Sequence, residues 1–162
     1  MTNKMSDEYF MNIARAVAVG SKNPGTKVGC IIVNDNDHIM SAGYNDLIAN
    51  MNMKYMTYEK PMYYMLDIHA EMRAILNARE PLMGCKLYCT IASCDNCFKH
   101  IIEAGIKEVV YDSLFTLNKS TGTPERLEAV VRLMKGSGVK QRNLKGKTFI
   151  EDLKENGIEF EI

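Results

Sequence analysis

His69-Ala70-Glu71 and, about two dozen residues further on, Cys94-Asp95-Asn96-Cys97 supply one imidazole, two thiols and a spare carboxylate. An imidazole and two thiolates suit Zn2+, and three such ligands leave the fourth tetrahedral position open for water, as a catalytic rather than a closed structural zinc requires. One neutral His and two thiolates also balance the charge of the ion, so that its water loses a proton near pKa ~7. Glu71 is then free to carry protons.

The spacing raises one geometric objection. Residues i and i+2 lie about 200° apart on an ideal helix and face opposite ways. The objection lifts if His69 sits at or just before the N-cap, where the backbone is still extended. Residues 71–78 form helix readily, so the helix is expected to begin at this motif. Cys97-Phe98-Lys99-His100-Ile101-Ile102-Glu103-Ala104 also reads as a helix, closed by Gly105. Two helix N-termini would then point at the metal, and their partial positive charge favours thiolate over thiol.

Other readings stand beside this one. A C-x-x-C pair can be a redox dithiol or half of a structural zinc site, and Cys85, Cys89, Cys94 and Cys97 could close a four-cysteine knuckle. Against the knuckle, Cys85-Lys86-Leu87-Tyr88-Cys89 reads as a strand with both cysteines on the face of Leu87, and free Cys commonly serves as a small buried hydrophobe. The same role is expected for Cys30. His100 extends Cys94 and Cys97 to another trio of ligand types but is expected on the helix surface. The catalytic reading is preferred for His69, Glu71, Cys94 and Cys97.

The elements that must position these groups alternate. Apolar residues at helical spacing run from Tyr9 to Val19, with Ser6 or Asp7 as N-cap. Val28–Val33 is an unbroken apolar run of strand length, and Asn34-Asp35-Asn36-Asp37 turns it into a second strand from His38 to Ala42. An irregular segment rich in Met and Tyr spans Gly43 to Ile68, and a loop this long in a compact domain is usually functional. Strands follow at Cys85–Thr90 and Lys107–Asp112. A helix from Pro124 ends near Gly136-Ser137-Gly138, a short strand starts at Val139, and a last helix covers Thr148–Asn156. A hairpin followed by alternating strand and helix gives an α/β fold, three layers (α-β-α) around a central mixed sheet of about five strands.

At 162 residues the chain is expected to be a single domain able to bury about two thirds of its unfolded surface. Its formal net charge is zero, which argues against a polyanion-binding protein: no nucleic-acid partner is expected. Five cysteines without a disulfide-framework pattern point to a reducing compartment. The N-terminal residues carry no apolar signal core, and no run approaches a membrane span. A cytoplasmic protein without membrane partners is expected.

These residues resemble the zinc-dependent cytidine deaminase superfamily, whose signature is H-x-E followed by P-C-x-x-C. Within it the chain is most similar to the deoxycytidylate (dCMP) deaminases. The resemblance rests on residues 21–29, on Gly43-Tyr44-Asn45, and on the zinc segments with Glu103–Val109. It implies a cytidine-deaminase-like fold and hydrolysis of dCMP to dUMP and ammonia, which supplies dUMP for thymidylate synthesis. In that scheme His69, Cys94 and Cys97 hold Zn2+, and Glu71 is both base and acid. Backbone amides near Ala70 and the Cys94 turn would read the pyrimidine edge, and Asn45 would bind the deoxyribose unless it is an Asx-turn residue. The 5′-phosphate needs donors, and Ser21, Lys22, Thr26 and Lys27 cluster in one turn that could equally be plain surface.

The resemblance further implies a homohexamer, activation by dCTP with Mg2+ and inhibition by dTTP, with Gly43, Tyr44, Asn45 and Asp46 forming the effector segment. Two departures stand out. Ser93 replaces the usual Pro before the first Cys, a change expected to matter little to the chemistry. Asp46 replaces a Gly, and an acidic group near a triphosphate is unfavourable unless Mg2+ bridges them. The rival readings are a deaminase of another nucleoside or base, a polynucleotide deaminase, and a zinc-stabilised binding module without catalysis.

Overall fold

The computed structural model describes residues 3–115 and 121–162. Helix α1 (Asp7–Ala18) starts where Ser6 accepts a hydrogen bond from the Tyr9 amide, and Asp7 and Glu8 sit in its first turn, where the helix dipole favours negative charge. It is followed by the hairpin β1 (Gly29–Val33) and β2 (Ile39–Tyr44). After α3 (Ala70–Asn77) the chain runs through β5 (Lys86–Ile91), α4 (Asp95–Glu103), β6 (Glu108–Ser113), α5 (Pro124–Ser137), β7 (Lys140–Asn143) and α6 (Phe149–Glu155). The strands lie in the order β2-β1-β5-β6-β7. β1 is antiparallel to both neighbours, whereas β5, β6 and β7 run parallel. Each parallel step uses a crossover helix, as parallel strands require.

Alternation along the strands sorts the core into two faces. Cys30, Ile32, Leu87, Cys89, Val109 and Tyr111 pack with Ala70, Ala74, Phe98, Ile101, Leu127 and Phe149 from α3 to α6. Ile31, Val33, Tyr88 and Val110 pack with Phe10, Met11 and Ala14 of α1. The expected three-layer α/β fold with a mixed five-stranded sheet is therefore what this chain forms. Burying a side chain such as Phe10 or Met11 contributes about 1.5–3 kcal/mol. Cys30 and Cys89, paired across β1 and β5, fill this core as small apolar groups.

Two glycines set how closely helices approach the sheet. A Cβ on Gly29 would stand 2.1 Å from Ala14 O, and one on Gly43 would stand 2.5 Å from both Ala70 O and Ala74 N. Gly43 therefore lets β2 lie directly against the first turn of α3, the helix that carries Glu71.

The segment from Gly43 to Ile68 is more ordered than its sequence pattern suggests. Its base is an antiparallel ribbon of β3 (Asp46–Leu47) and β4 (Asp67–Ile68). Between them lie a 3₁₀ turn at Met53–Tyr55 and the short helix α2 (Tyr63–Leu66). Arg73 of α3 holds this ribbon: Nε donates to Tyr44 O at 2.9 Å, and a terminal nitrogen donates to Leu47 O at 2.7 Å. Its guanidinium also lies 5.2 Å from the Tyr44 ring centroid, a cation–π distance. Among the described residues, no helix is long and apolar enough to cross a membrane.

Candidate active site

His69 is the N-cap of α3, with φ −67° and ψ 153°, and Cys94 is the N-cap of α4, with φ −73° and ψ 169°. Both backbones are extended at the cap, and their carbonyls accept the first helical bonds, from Arg73 N at 3.0 Å and Phe98 N at 2.8 Å. Because His69 stands outside the helix, its side chain is not tied to the 100° step that would separate it from Glu71. Cys97 follows in the first turn of α4, so both N-termini open onto one point.

The His69 Nδ1 atom lies 3.7 Å from Cys94 Sγ and 3.3 Å from Cys97 Sγ. Tetrahedral zinc with its usual Zn–N and Zn–S bond lengths separates such atoms by about 3.6 Å. The donor set fits a zinc ion in chemistry and in spacing. Among the described residues this is the one group of three or more His, Cys, Asp or Glu whose ligand atoms all lie within 4.8 Å of one another. Cys85 and Cys89 do not join it, so the four-cysteine knuckle does not form. His100 points outward on α4, its Nδ1 against Asn96 O.

The clustered groups shift one another's protonation. The Cys94 thiol is brought down by the hydrogen bond from Cys97 and, against the cost of burial, by the adjacent His69. Cys97 moves the other way, raised by its bond to Cys94 and by burial. Glu71 is buried at 4% exposure, and desolvation raises its pKa, with the Cys94 thiolate adding to the rise and His69 opposing it. A carboxyl raised in this way can hold and release a proton closer to neutrality than an exposed one.

These groups share a cavity of about 610 Å³. His69, Ala70, Glu71 and Cys94 line it on one side, while Asn23, Gly25, Thr26, Asn45, Lys60 and Tyr64 line another part. Of the four residues expected at a phosphate, Thr26 is at the wall. Ser21, Lys22 and Lys27 are not among the lining residues. Ser21 turns inward, its hydroxyl donating to Asn45 O at 2.5 Å and accepting from Asn23 N at 3.1 Å. Lys60 is the one Lys or Arg among the described lining residues, and it is placed there by the insert that precedes α2. Its ammonium lies 5.3 Å from the Tyr64 ring centroid and 3.1 Å from where a Cβ on Gly25 would stand.

Asn45 lines the cavity but is already engaged, accepting from Val28 N at 2.8 Å and donating to Thr26 O at 2.9 Å. Asp46 is buried, and its carboxylate accepts from Lys22 N at 3.0 Å, Leu47 N at 2.7 Å and the Tyr58 hydroxyl at 2.9 Å. Ser93, just before the first Cys, donates its backbone N–H to Gln141 Oε1 at 2.7 Å. Lys60, Arg73 and Gln141 escaped the sequence reading. Lys60 and Gln141 come to the site from other segments, whereas Arg73, next to Glu71 on α3, reaches back to Tyr44 and Leu47.

A family model for the cytidine and deoxycytidylate deaminase zinc-binding region matches residues 4–113. The chain belongs to this family. The human deoxycytidylate deaminase is 36% identical over 113 residues, which cover 65% of this chain and 64% of the human protein. The chain thus spans just under two thirds of that relative's length. A dCMP deaminase from the cyanophage S-TIM5, solved in apo form, is 25% identical with a TM-score of 0.65, over 85% of this chain and 95% of the phage protein. The same phage protein in complex with dCMP and dUMP has a TM-score of 0.64 at 24% identity, over 84% and 94% of the two chains, and shares the fold.

Proposed function

We propose that this chain is a zinc-dependent hydrolase that converts dCMP to dUMP and ammonia. The observation that carries the reading is the convergence of His69, Cys94 and Cys97 on one point, with buried Glu71 beside them on the wall of a nucleotide-sized cavity. The relatives named deoxycytidylate deaminases support the choice of substrate.

His69, Cys94 and Cys97 would hold the ion. Bound there, zinc supplies Lewis acidity that makes water nucleophilic near neutral pH. Glu71 accepts the proton of the attacking water and delivers it to N3 of the pyrimidine. It then takes the remaining proton of the hydroxyl added at C4 and passes it to the departing 4-amino group, so that the carbonyl forms as ammonia leaves, acting as base and acid in turn. Burial suits it to both roles because its proton affinity is raised. The backbone around Ala70 and the Cys94 turn faces the reacting edge of the base, and desolvation within the cavity strengthens each of these interactions.

For the 5′-phosphate, the wall residues favour Lys60 and Thr26 over Ser21, Lys22 and Lys27. A Lys ammonium binds phosphate as a point charge. Asn45 can meet the deoxyribose only through hydrogen-bonding capacity left over from Val28 and Thr26.

Effector control by dCTP with Mg2+ or by dTTP would engage residues 43–46. Their roles in packing β2 and the ribbon support catalysis more directly than regulation. A homo-oligomer is supported by the exposed Ile48, Met51, Met53, Tyr55, Met62 and Met65, six large apolar side chains carried by one insert.

The test is the loss of cytosine absorbance on zinc-loaded protein with dCMP, dCTP, deoxycytidine and cytidine. Turnover of dCMP far above that of deoxycytidine supports the reading. Turnover of none of them by protein holding one zinc per chain rejects it in favour of another base or a structural metal.

A further inference from the structure

β7 lies beyond residue 113, outside the residues matched by the family model, yet one of its side chains reaches the metal-binding turn. Gln141 is fully buried, as is Ser93, the residue that immediately precedes Cys94. Gln141 Oε1 accepts from Ser93 N at 2.7 Å, and Gln141 Nε2 donates to Ser93 O at 3.4 Å. One side-chain amide therefore grips both polar groups of one residue's backbone, across 48 residues of sequence.

We infer that Gln141 is a positioning residue for the zinc site, fixing the turn from which Cys94 and Cys97 project. The inference rests on the zinc reading of that site. A primary amide is costly to bury unless its donors and acceptor are paired, so an interior Gln paired to a single distant residue points to a constraint on that residue. The turn is fixed from a second direction as well, since Ala92 N donates to Ser113 O at 2.9 Å, extending the β5–β6 ladder. Ala92 and Ser93 are thus held from β6 and β7 in succession, and Cys94 begins α4 from a backbone with little freedom left. Both bonds from Gln141 go to Ser93 main-chain atoms and neither to its hydroxyl, so the grip acts on the backbone. Groups that orient metal ligands change metal affinity by roughly 10- to 100-fold when they are removed.

The experiment measures zinc release from the full-length, zinc-loaded protein to a chromogenic chelator, together with the visible spectrum of the cobalt-substituted form. Gln141→Met removes both hydrogen bonds at similar volume and is expected to speed zinc release roughly 10- to 100-fold and to shift the cobalt bands. Gln141→Glu keeps an acceptor for the Ser93 N–H and is expected to fall between wild type and Gln141→Met. It carries the test alone if the Met variant does not fold. Ser93→Pro placed on Gln141→Met removes the orphaned N–H and is expected to recover part of the loss. Wild-type protein that binds zinc, with variants that release it at the wild-type rate and differ only in melting temperature, overturns the inference. Wild-type protein that takes up no zinc overturns the site reading beneath it.

Discussion

The Asp46 carboxylate accepts a hydrogen bond from the Tyr58 hydroxyl at 2.9 Å and also receives the amides of Lys22 and Leu47. Three segments meet at this one side chain: the turn after α1, the ribbon, and the insert ahead of α2. Asp46→Gly strands three donors, of which Leu47 N is buried, and an orphaned buried donor costs about 1–3 kcal/mol. Urea unfolding is expected to show a loss of at least that size. Unchanged stability would mean that water replaces the carboxylate freely.

Glu71→Gln keeps the size of the side chain and removes its proton chemistry. Zinc content by metal analysis is expected to stay at the wild-type level, while turnover falls by at least ~10²–10⁴-fold, the range of general acid–base catalysis. Loss of zinc in this variant would show that Glu71 is itself a ligand.

Lys60 is the one Lys or Arg among the described wall residues. Lys60→Met is expected to raise KM for dCMP about tenfold or more, the scale of one lost charge-assisted hydrogen bond. Its effect on deoxycytidine, which has no phosphate, should be slight. Equal loss on both substrates would assign Lys60 to the shape of the cavity rather than to the anion.

Gly43→Ala forces a Cβ to within 2.5 Å of Ala70 O and Ala74 N. Both neighbours are backbone, so α3 must move. Overpacking of this kind costs about 1–3 kcal/mol, and the displaced helix carries Glu71 and follows directly on His69. A lowered melting temperature together with weaker zinc retention is expected. A lower melting temperature with normal retention would show that the shift dissipates before reaching the site.

Asp7 ties α1 to the sheet through Tyr88, whose hydroxyl donates at 2.8 Å, and Arg142 at 2.9 Å. Burial pushes its pKa up, but the bonds from Tyr88 and Arg142 outweigh burial and leave it below its ordinary 3.8. A depressed folded-state pKa contributes stability that is present above 3.8 and is lost as pH falls through the folded value. The melting-temperature gap between wild type and Asp7→Asn should therefore be widest near neutrality and narrow below about pH 4. A gap independent of pH would remove Asp7 from the acid response.

The convergence of His69, Cys94 and Cys97 was legible because their types belong together chemically and because a helix start resolves the His69–Glu71 spacing. The layers were legible from strand-length apolar runs alternating with helical ones, and Pro124 and Gly138 mark the ends of α5. The ribbon was not, since two residues per strand leave no period to read and its partners Asp46 and Ile68 lie far apart in sequence. The turn at Ser21–Lys27 shows a different limit. Polar residues clustered along the chain need not converge in space, and here Ser21 and Asn45 fold the turn onto itself while Lys60 arrives from the insert.

His69 and Cys94 lie 25 residues apart, one on each side of β5, the strand that joins the antiparallel hairpin to the parallel half of the sheet. An ion held by both would close a ring of chain that contains β5. Its binding free energy would then count toward folding as well as toward chemistry. Metal uptake would therefore register in the melting temperature of the protein as well as in its turnover.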